Sequence, residues 1–243
     1  MAIITLDAFV CDPIIHEMFP IVSADNYLPK WWKNLPNVFE RPNDNDMIMP
    51  HQTMKACDGF VELYKNSFIF PLWCDYTLET KVNYFAYHHF STSVFELISH
   101  DRRQYGETFD DYIHLKLTSP WIMRETTGIK FLLKSPEWSS PISWKYVHVP
   151  SGIVDFRYQH SSHVNFFVNN EERRIEFSAG SPLLQFVPLT EKKVEIKCHL
   201  IDEKEYNKMQ QIHLRPFRSQ KAFSRFKNFF VKKNKCPWDL MKG

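Results

Sequence analysis

The sequence predicts a mainly β (α+β) fold with peripheral helices and a helical, basic C-terminal segment. Short stretches rich in β-branched and aromatic residues follow one another through the middle of the chain, separated by Pro, Gly, Ser and Asn. At 243 residues and 44% hydrophobic, the chain can bury a sizeable core. Its charge is unevenly placed, because residues 203–243 contain 11 Lys and Arg against 3 Asp and Glu. A β-rich body followed by a basic tail is therefore expected.

Residues 1–66 are predicted to form strands and helices that pack on the core. The segments "AIITLDAFV" and "IIHEMFPIV" have the composition of short strands. "DNYLPKWWKNLPN" predicts a short helical turn bounded by Pro29 and Pro36, in which Trp31 and Trp32 fill the core rather than grip a ligand. "RPNDNDMIMP" is rich in Pro, Asn and Asp and predicts a loop.

The last element of this region is an amphipathic helix over "HQTMKACDGFVELYKNS". Met54, Cys57, Phe60 and Tyr64 follow the spacing of one apolar helix face, and the helix is expected to end near Asn66. After it the chain changes to strand character.

Residues 67–202 are predicted to form a β-rich core domain. Its segments alternate apolar and polar residues between turn formers, as in a β-sandwich or barrel. The predicted strands lie in "FIFPLWCDYTLETKVNYFAYHH", "DYIHLKLTS", "IKFLLKS", "ISWKYVHVP", "HVNFFVN", "RRIEFSA", "PLLQFVPL" and "KKVEIKCHLI".

Residues 203–243 are predicted to be helical and basic. "DEKEYNKMQQIHL" and "PFRSQKAFSRFKNFFVKKNK" lack strand alternation, and in the second a stripe of Phe residues recurs at helical spacing. The preferred interpretation is a helix packed on the acidic body. A contact surface for a partner or oligomer comes next, and a patch for nucleic acid or an anionic membrane comes last.

One motif has the character of a functional site. Gly152, Asp155 and Tyr158 form G-x-x-D-x-x-Y in "PSGIVDFRYQ", and Gly180 and Gln185 follow in "AGSPLLQFVPL". In order and separation these two pieces, within residues 150–189, resemble the dUTPase family. The resemblance implies a dUTPase-like β-clip core, and the segments around Gly152 read independently as two β arms joined by a turn that requires a positive φ.

The same resemblance implies a set of site residues. Asp155 would activate the attacking water as a general base, and Tyr158 would stack under the sugar of a deoxynucleotide. Gln185, Gly152 and Arg124 would be further ligand-binding positions, with Arg124 and Thr127 of "MRETTGI" near phosphates. In that case Mg²⁺ is the expected cofactor, with Asp75 of "PLWCDYTL" as its ligand.

Two observations favour a protein without catalysis. The family uses a glycine-rich C-terminal arm over the phosphates, whereas the only glycine after Gly180 is Gly243. Asp155 has an equally simple role as an Asx-turn residue that binds its own backbone. The leading prediction is a non-catalytic β-clip protein for binding or assembly, and the alternative is a nucleotide-processing hydrolase that uses Asp155 and Tyr158.

A second resemblance covers most of the chain. The succession "KWWKNLP", "FPLWCD", "TSPW", "GIVDFRY" and "GSPLLQFVPL" is similar to an uncharacterised family of tailed-phage and bacterial proteins. It implies a phage origin and a phage or cellular protein partner, since β-clip modules also occur among phage head-decoration proteins. The dUTPase resemblance implies a homotrimer.

The remaining composition indicates where the chain works. Its five cysteines are widely spaced and form no C-x-x-C, which argues against a disulfide framework and against a zinc cluster. The histidines lack ligand spacing, so no metal site is predicted. No signal peptide or apolar run of about 18 residues occurs. We therefore expect a cytoplasmic protein, or a virion component if it is phage-encoded, with no membrane partner.

Overall fold

The computed structural model describes residues 3–44, 46–90, 96–106, 109–139, 145–157 and 162–214, with side chains described as far as Gln210. Strands outnumber helices throughout this part of the chain, which confirms the mainly β prediction. The helices are α1 Pro13–Met18, α2 Lys30–Asn34, α3 Asp58–Lys65 and α4 Glu203–Leu214. Short 3-10 helices span Ala24–Tyr27, Met54–Ala56 and Arg102–Gln104.

Most of the core strands fall close to the predicted segments, whereas the strands at 97–99 and 122–124 lie outside them. The N-terminal strands are β1 Ile4–Val10, β2 Val22–Ser23, β3 Val38–Pro42, β4 Ile48–Gln52 and β5 Phe68–Pro71. The central strands are β6 Tyr76–Lys81, β7 Tyr84–His89, β8 Leu97–Ser99, β9 Tyr112–Leu117, β10 Ile122–Arg124 and β11 Phe131–Lys134. The remaining strands are β12 Val147–His148, β13 Gly152–Val154, β14 Val164–Asn169, β15 Arg173–Phe177, β16 Pro182–Pro188 and β17 Val194–Leu200.

The described strands associate into four sheets and one separate hairpin. The sheet orders are β10-β1-β17, β13-β11-β16-β5-β2, β12-β14-β9-β8 and β15-β6-β7, and β3 pairs only with β4. In the first sheet β1 runs antiparallel to β10 and parallel to β17, with Ile4 opposite Val194 and Val10 opposite Leu200. Strands from both ends of the described region therefore meet in one sheet.

A single apolar cluster joins the four sheets. In β1, β6, β9 and β14 alternate residues point into it, as the period-2 pattern of a half-buried strand requires, whereas β5 and most of β16 are buried at consecutive positions. Its members include Leu6 and Ala8 of β1, Phe70 of β5, Leu115 of β9, Phe131 of β11, Phe166 of β14, Ile175 of β15 and Phe186 of β16.

The prediction of a strand over "IIHEMFPIV" is wrong for its first half. Asp12 accepts hydrogen bonds from the backbone N–H groups of Ile14 (2.8 Å) and Ile15 (3.2 Å), and Pro13 occupies the first helical position. An Asp cap followed by Pro is a helix-start signal that outweighs the β-branched composition of a short segment. α1 therefore replaces the predicted strand, and β2 begins only at Val22.

The predicted helical turn over "DNYLPKWWKNLPN" is confirmed as α2, but the burial of its tryptophans is not. Trp31 is 41% exposed, and Trp32 is half-buried. Both rings pack against Phe60 of α3, at 5.7 and 5.3 Å between centroids. The pair therefore lies at the surface, over the small cluster that α3 forms with the residues around α2.

The predicted helix over 51–67 is confirmed in its second half as α3, which ends at Asn66 as expected. The predicted helix after residue 202 is confirmed as α4, which begins with Asp202 accepting from the N–H of Glu205 (2.8 Å). Tyr206 of α4 donates to the carbonyl of Pro120 (2.7 Å), and burial raises the pKa of Tyr206 to about 12. The predicted second helix of the tail, over "PFRSQKAFSRFKNFFVKKNK", lies outside the described residues.

Candidate functional site

Asp155 lies directly after β13, at the end of the strand that pairs with β11. Its Oδ1 accepts a hydrogen bond from the backbone N–H of Arg157 (3.0 Å), which is the Asx turn expected as the alternative to a chemical role. The guanidinium of Arg157 also donates to both carboxylate oxygens, from Nε to Oδ1 at 3.2 Å and from Nη2 to Oδ2 at 2.9 Å. Both oxygens of Asp155 are thus engaged within three residues of chain.

The "MRETTGI" turn lies against this ion pair. Gly128 has φ +90°, and a Cβ added to it would lie 2.3 Å from Cζ of Arg157, so the guanidinium occupies the space of a side chain. The turn is held by Glu125, whose buried carboxylate accepts from the backbone N–H of Gly128 (2.7 Å) and from that of Thr127. The structure therefore brings residues 125–128 and 155–157 together.

The other predicted site residues lie in separate environments. Arg124 is exposed in β10 and is paired in register with Asp7 of β1. Gln185 is 1% exposed in β16, where its Nε2 donates to Oγ of Ser67 at 2.8 Å. Asp75 accepts from the N–H of Ala179 (2.7 Å). In this structure the side chains of Gln185 and Asp75 therefore form hydrogen bonds within the protein.

The expected glycine turns have different outcomes. Gly152 does not have a positive φ; it is the first residue of β13, opposite Leu133, so the prediction of a left-handed turn there is wrong. Gly180 does have a positive φ, +77°, and its turn leads into β16 as expected. Tyr158 lies outside the described residues.

A surface that the sequence reasoning missed is the hairpin of β3 and β4, in the segment predicted as a loop. All ten of its residues are exposed. The pairing places Phe39 opposite His51 and Arg41 opposite Met49 on one face, while the other face carries Val38, Pro50 and Ile48. Both faces of the hairpin therefore expose apolar side chains, beside Arg41 and His51 on one face and Glu40 and Gln52 on the other.

Prolines occupy both free edges of this hairpin. Backbone hydrogen bonds from Asn43 to Met47 (2.9 Å) and from Thr53 to Asn37 (3.2 Å) make the odd-numbered pairs the hydrogen-bonded ones. Even-numbered residues, including Pro42 in β3 and Pro50 in β4, therefore direct their backbone outward. Proline has no N–H, which is why it is compatible with an edge strand and why the composition-based prediction of a loop is wrong.

An apolar groove lies at the base of the hairpin. It encloses about 600 Å³. Its walls come from the end of α2, the base of the hairpin and the 3-10 turn that precedes α3. The lining residues are Leu35, Pro36, Phe39, Gln52, Thr53, Met54, Ala56 and Cys57.

Exposed tryptophans lie next to the groove. Trp32 donates from Nε1 to the carbonyl of Met54, a groove residue, at 3.1 Å. Trp31 donates from Nε1 to the carbonyl of Trp138 (3.2 Å), and both of these rings are partly exposed. Hairpin, groove and tryptophans form one apolar surface, which we call the hairpin surface.

A second cluster lies on the outer side of β9. His114 is stacked between His100 (4.3 Å between ring centroids) and Phe167 (4.5 Å), and its ring nitrogens lack hydrogen-bond partners among the described residues. Burial, with a contribution from nearby His100, lowers the pKa of His114 to about 4. The imidazole is therefore neutral at pH 7 and packs like an aromatic ring.

Searches against family models and against curated proteins return no match for this chain. Among the residues that the structure describes, three or more His, Cys, Asp or Glu side chains are nowhere grouped as metal ligands. None of the described helices combines the length and the apolarity that crossing a membrane requires.

Proposed function

We propose that this chain is a non-catalytic protein that binds to or assembles with other protein through the hairpin surface. The observation that carries the proposal is the β3–β4 hairpin, whose ten residues are all exposed and which carries apolar side chains on both faces. An isolated two-stranded hairpin is only marginally stable in water, so a hairpin of this kind gains stability when a partner covers it. Contiguous exposed apolar patches of this kind mark interaction sites.

The state of Asp155 supports a role without catalysis. A general base must lie within hydrogen-bond reach of the proton that it removes. The backbone N–H and the guanidinium of Arg157 engage both oxygens of Asp155. This arrangement suits a carboxylate that orders a turn.

The alternative function is a nucleotide-processing hydrolase of the dUTPase kind, with Mg²⁺ as cofactor. It is favoured by the contact between Arg157 and Gly128, which brings the "MRETTGI" segment, expected near phosphates, against the turn that contains Asp155. The same contact, together with the turn at Gly180, supports the finer proposal of a dUTPase-like β-clip core.

Incubation with dUTP or dCTP and Mg²⁺, followed by measurement of pyrophosphate, tests the alternative. We expect no turnover. Turnover that is lost in Asp155→Asn and kept in Glu172→Gln, which changes an exposed carboxylate, would replace the leading proposal with the hydrolase.

The resemblance to phage proteins suggests where the partner is found. We propose a location in the cytoplasm of the producing cell, or in the virion if the chain is phage-encoded. The resemblance to the dUTPase family implies a homotrimer, and the mass measurement described below separates that assembly from others.

The leading proposal is tested with a photo-crosslinking amino acid placed at Phe39, in the hairpin, and at Ile153, which is more exposed but lies on β13. Irradiation in the native cell should give covalent products with protein from position 39 only. Equal products from both positions, or none from either, would contradict the proposal.

A further inference from the structure

We propose that the partner of the hairpin surface is a second copy of this chain, whose hairpin lies antiparallel to the first, with the tip of each at the groove of the other. This inference rests on the function proposed above, since it names the partner of the same surface. It is carried by the shape, the edges and the charge of the hairpin.

A hairpin cannot fill the groove at its own base. Asn43, at the tip, is four residues from the groove residue Phe39, which corresponds to about 14 Å along an extended strand. In a second copy related by a two-fold axis, the tip reaches the groove and each copy fills the groove of the other. Self-complementary contact of this kind is the commonest form of homo-oligomer interface.

The hairpin edges favour contact through a face. Pro42 and Pro50 each remove one outward N–H group from a free edge, which weakens strand addition at both edges. The face that carries Phe39 continues into the groove and also carries Met49. In the antiparallel arrangement the row of Arg41 and Met49 in one copy faces the row of Phe39 and His51 in the other, which brings the sulfur of Met49 beside aromatic rings, a favourable contact.

Charge complements this arrangement. The tip segment, 43–47, contains the exposed residues Asp44 and Asp46 and no basic residue. The segments that border the groove, 30–36 and 53–57, contain three lysines and no acidic residue. Opposite charges brought together in this way fix the orientation of an interface more than they strengthen it. We therefore expect the acidic tip of one copy to lie against the basic rim of the groove, formed by residues 30–36 and 53–57, in the other copy.

The mass of the full chain in solution is the first measurement. Sedimentation equilibrium should give twice the 29.1 kDa mass of the chain at high concentration and the single mass on dilution. Met49→Asp should weaken the association at least tenfold. Met18→Asp is the matched control, because Met18 is 65% exposed in α1, away from the hairpin, and it should leave the association unchanged. Circular dichroism verifies that each variant is folded.

Charge exchange tests the orientation. The double variant Asp44→Lys with Asp46→Lys should weaken the dimer, because it places a basic tip at a basic rim. The double variant Lys33→Glu with Lys55→Glu should also weaken it, because it places an acidic tip at an acidic rim. When the two double variants are mixed, tip and rim are again opposite in both contacts, so a mixed dimer should form.

A chain that stays at 29.1 kDa at every concentration, a threefold mass, or a mixture that fails to associate would overturn the antiparallel dimer. None of these results contradicts the proposed function as long as position 39 crosslinks to a different protein. Failure of that crosslink would contradict both proposals. A crosslink to a different protein, without a dimer in solution, would contradict the dimer alone.

Discussion

The guanidinium of Arg157 lies over the backbone of Gly128, in the space that a side chain at residue 128 would fill. The contact joins the turn after β10 to the end of β13. It depends on glycine for two reasons, because φ at Gly128 is +90° and because a Cβ would lie 2.3 Å from Cζ of Arg157. This relationship leads to the first prediction.

Gly128→Ala should lower the free energy of unfolding by about 2 kcal/mol or more, since it adds backbone strain and displaces Arg157. Gly106→Ala is the control. Gly106 has φ +72°, but among the described residues a Cβ there would meet nothing within 4 Å, so the loss should be about 1 kcal/mol. Equal losses in urea unfolding would show that the Arg157 contact contributes nothing.

Gln185 and Ser67 form a buried polar pair that stabilises the fold. Gln185→Leu should cost about 1 to 2 kcal/mol, because the hydrogen bond to Oγ of Ser67 is lost at a buried position. In a double-mutant cycle, Gln185→Leu combined with Ser67→Ala should cost less than the two single changes together. Additive losses would mean that the two side chains are not coupled.

His114 should make stability depend on pH in a defined window. Its pKa in the folded protein is about 4, below the ordinary 6.5, so between these values the unfolded chain binds a proton that the folded chain does not. Stability should therefore fall as the pH drops from about 6.5 to 4. His114→Phe should flatten this slope, whereas His88→Phe, at an exposed position, should not. Thermal unfolding measured across this pH range tests the prediction. If His114→Phe lost stability with falling pH as steeply as His88→Phe, the prediction would be contradicted.

Cys74 should be an inert thiol in the folded protein. Burial, with a contribution from Asp75, raises its pKa to about 12, so almost none of the reactive thiolate is present at neutral pH. Iodoacetamide should label Cys57, which is half-buried, before unfolding and Cys74 only afterwards. Peptide mass spectrometry measures the order, and labelling of Cys74 at the rate of Cys57 would contradict this prediction.

Most strands of the core could be predicted from the sequence because they are short β-branched and aromatic segments bounded by turn formers, but β8 and β10 were not predicted. The predictions for α1 and for the β3–β4 hairpin were wrong, because residue composition alone did not identify these two elements. At α1 the Asp12 cap and Pro13 outweigh β-branched residues. In the hairpin, prolines that would exclude a central strand are compatible with outward-facing edge positions.

The candidate site was predictable only in part. The contact between Gly128 and Arg157 was not predicted. The pairing of β11 with β13, which brings them together, is a long-range contact that no local pattern encodes. Likewise, the exposure of Trp31 could not be inferred, because an aromatic residue beside a short helix is compatible with a core position and with a surface position.

The pairing of β1 with β17 has a consequence for synthesis of the chain. The hydrogen bond between Thr5 and Glu195 spans 190 residues. At translation rates of 5–20 residues per second, β1 therefore waits roughly 10 to 40 s before its parallel neighbour exists. During that time the side chains of Leu6 and Ala8, which end in the core, lack one of their flanking strands. The nascent β1 therefore lacks its parallel partner β17 for most of the synthesis of the described chain.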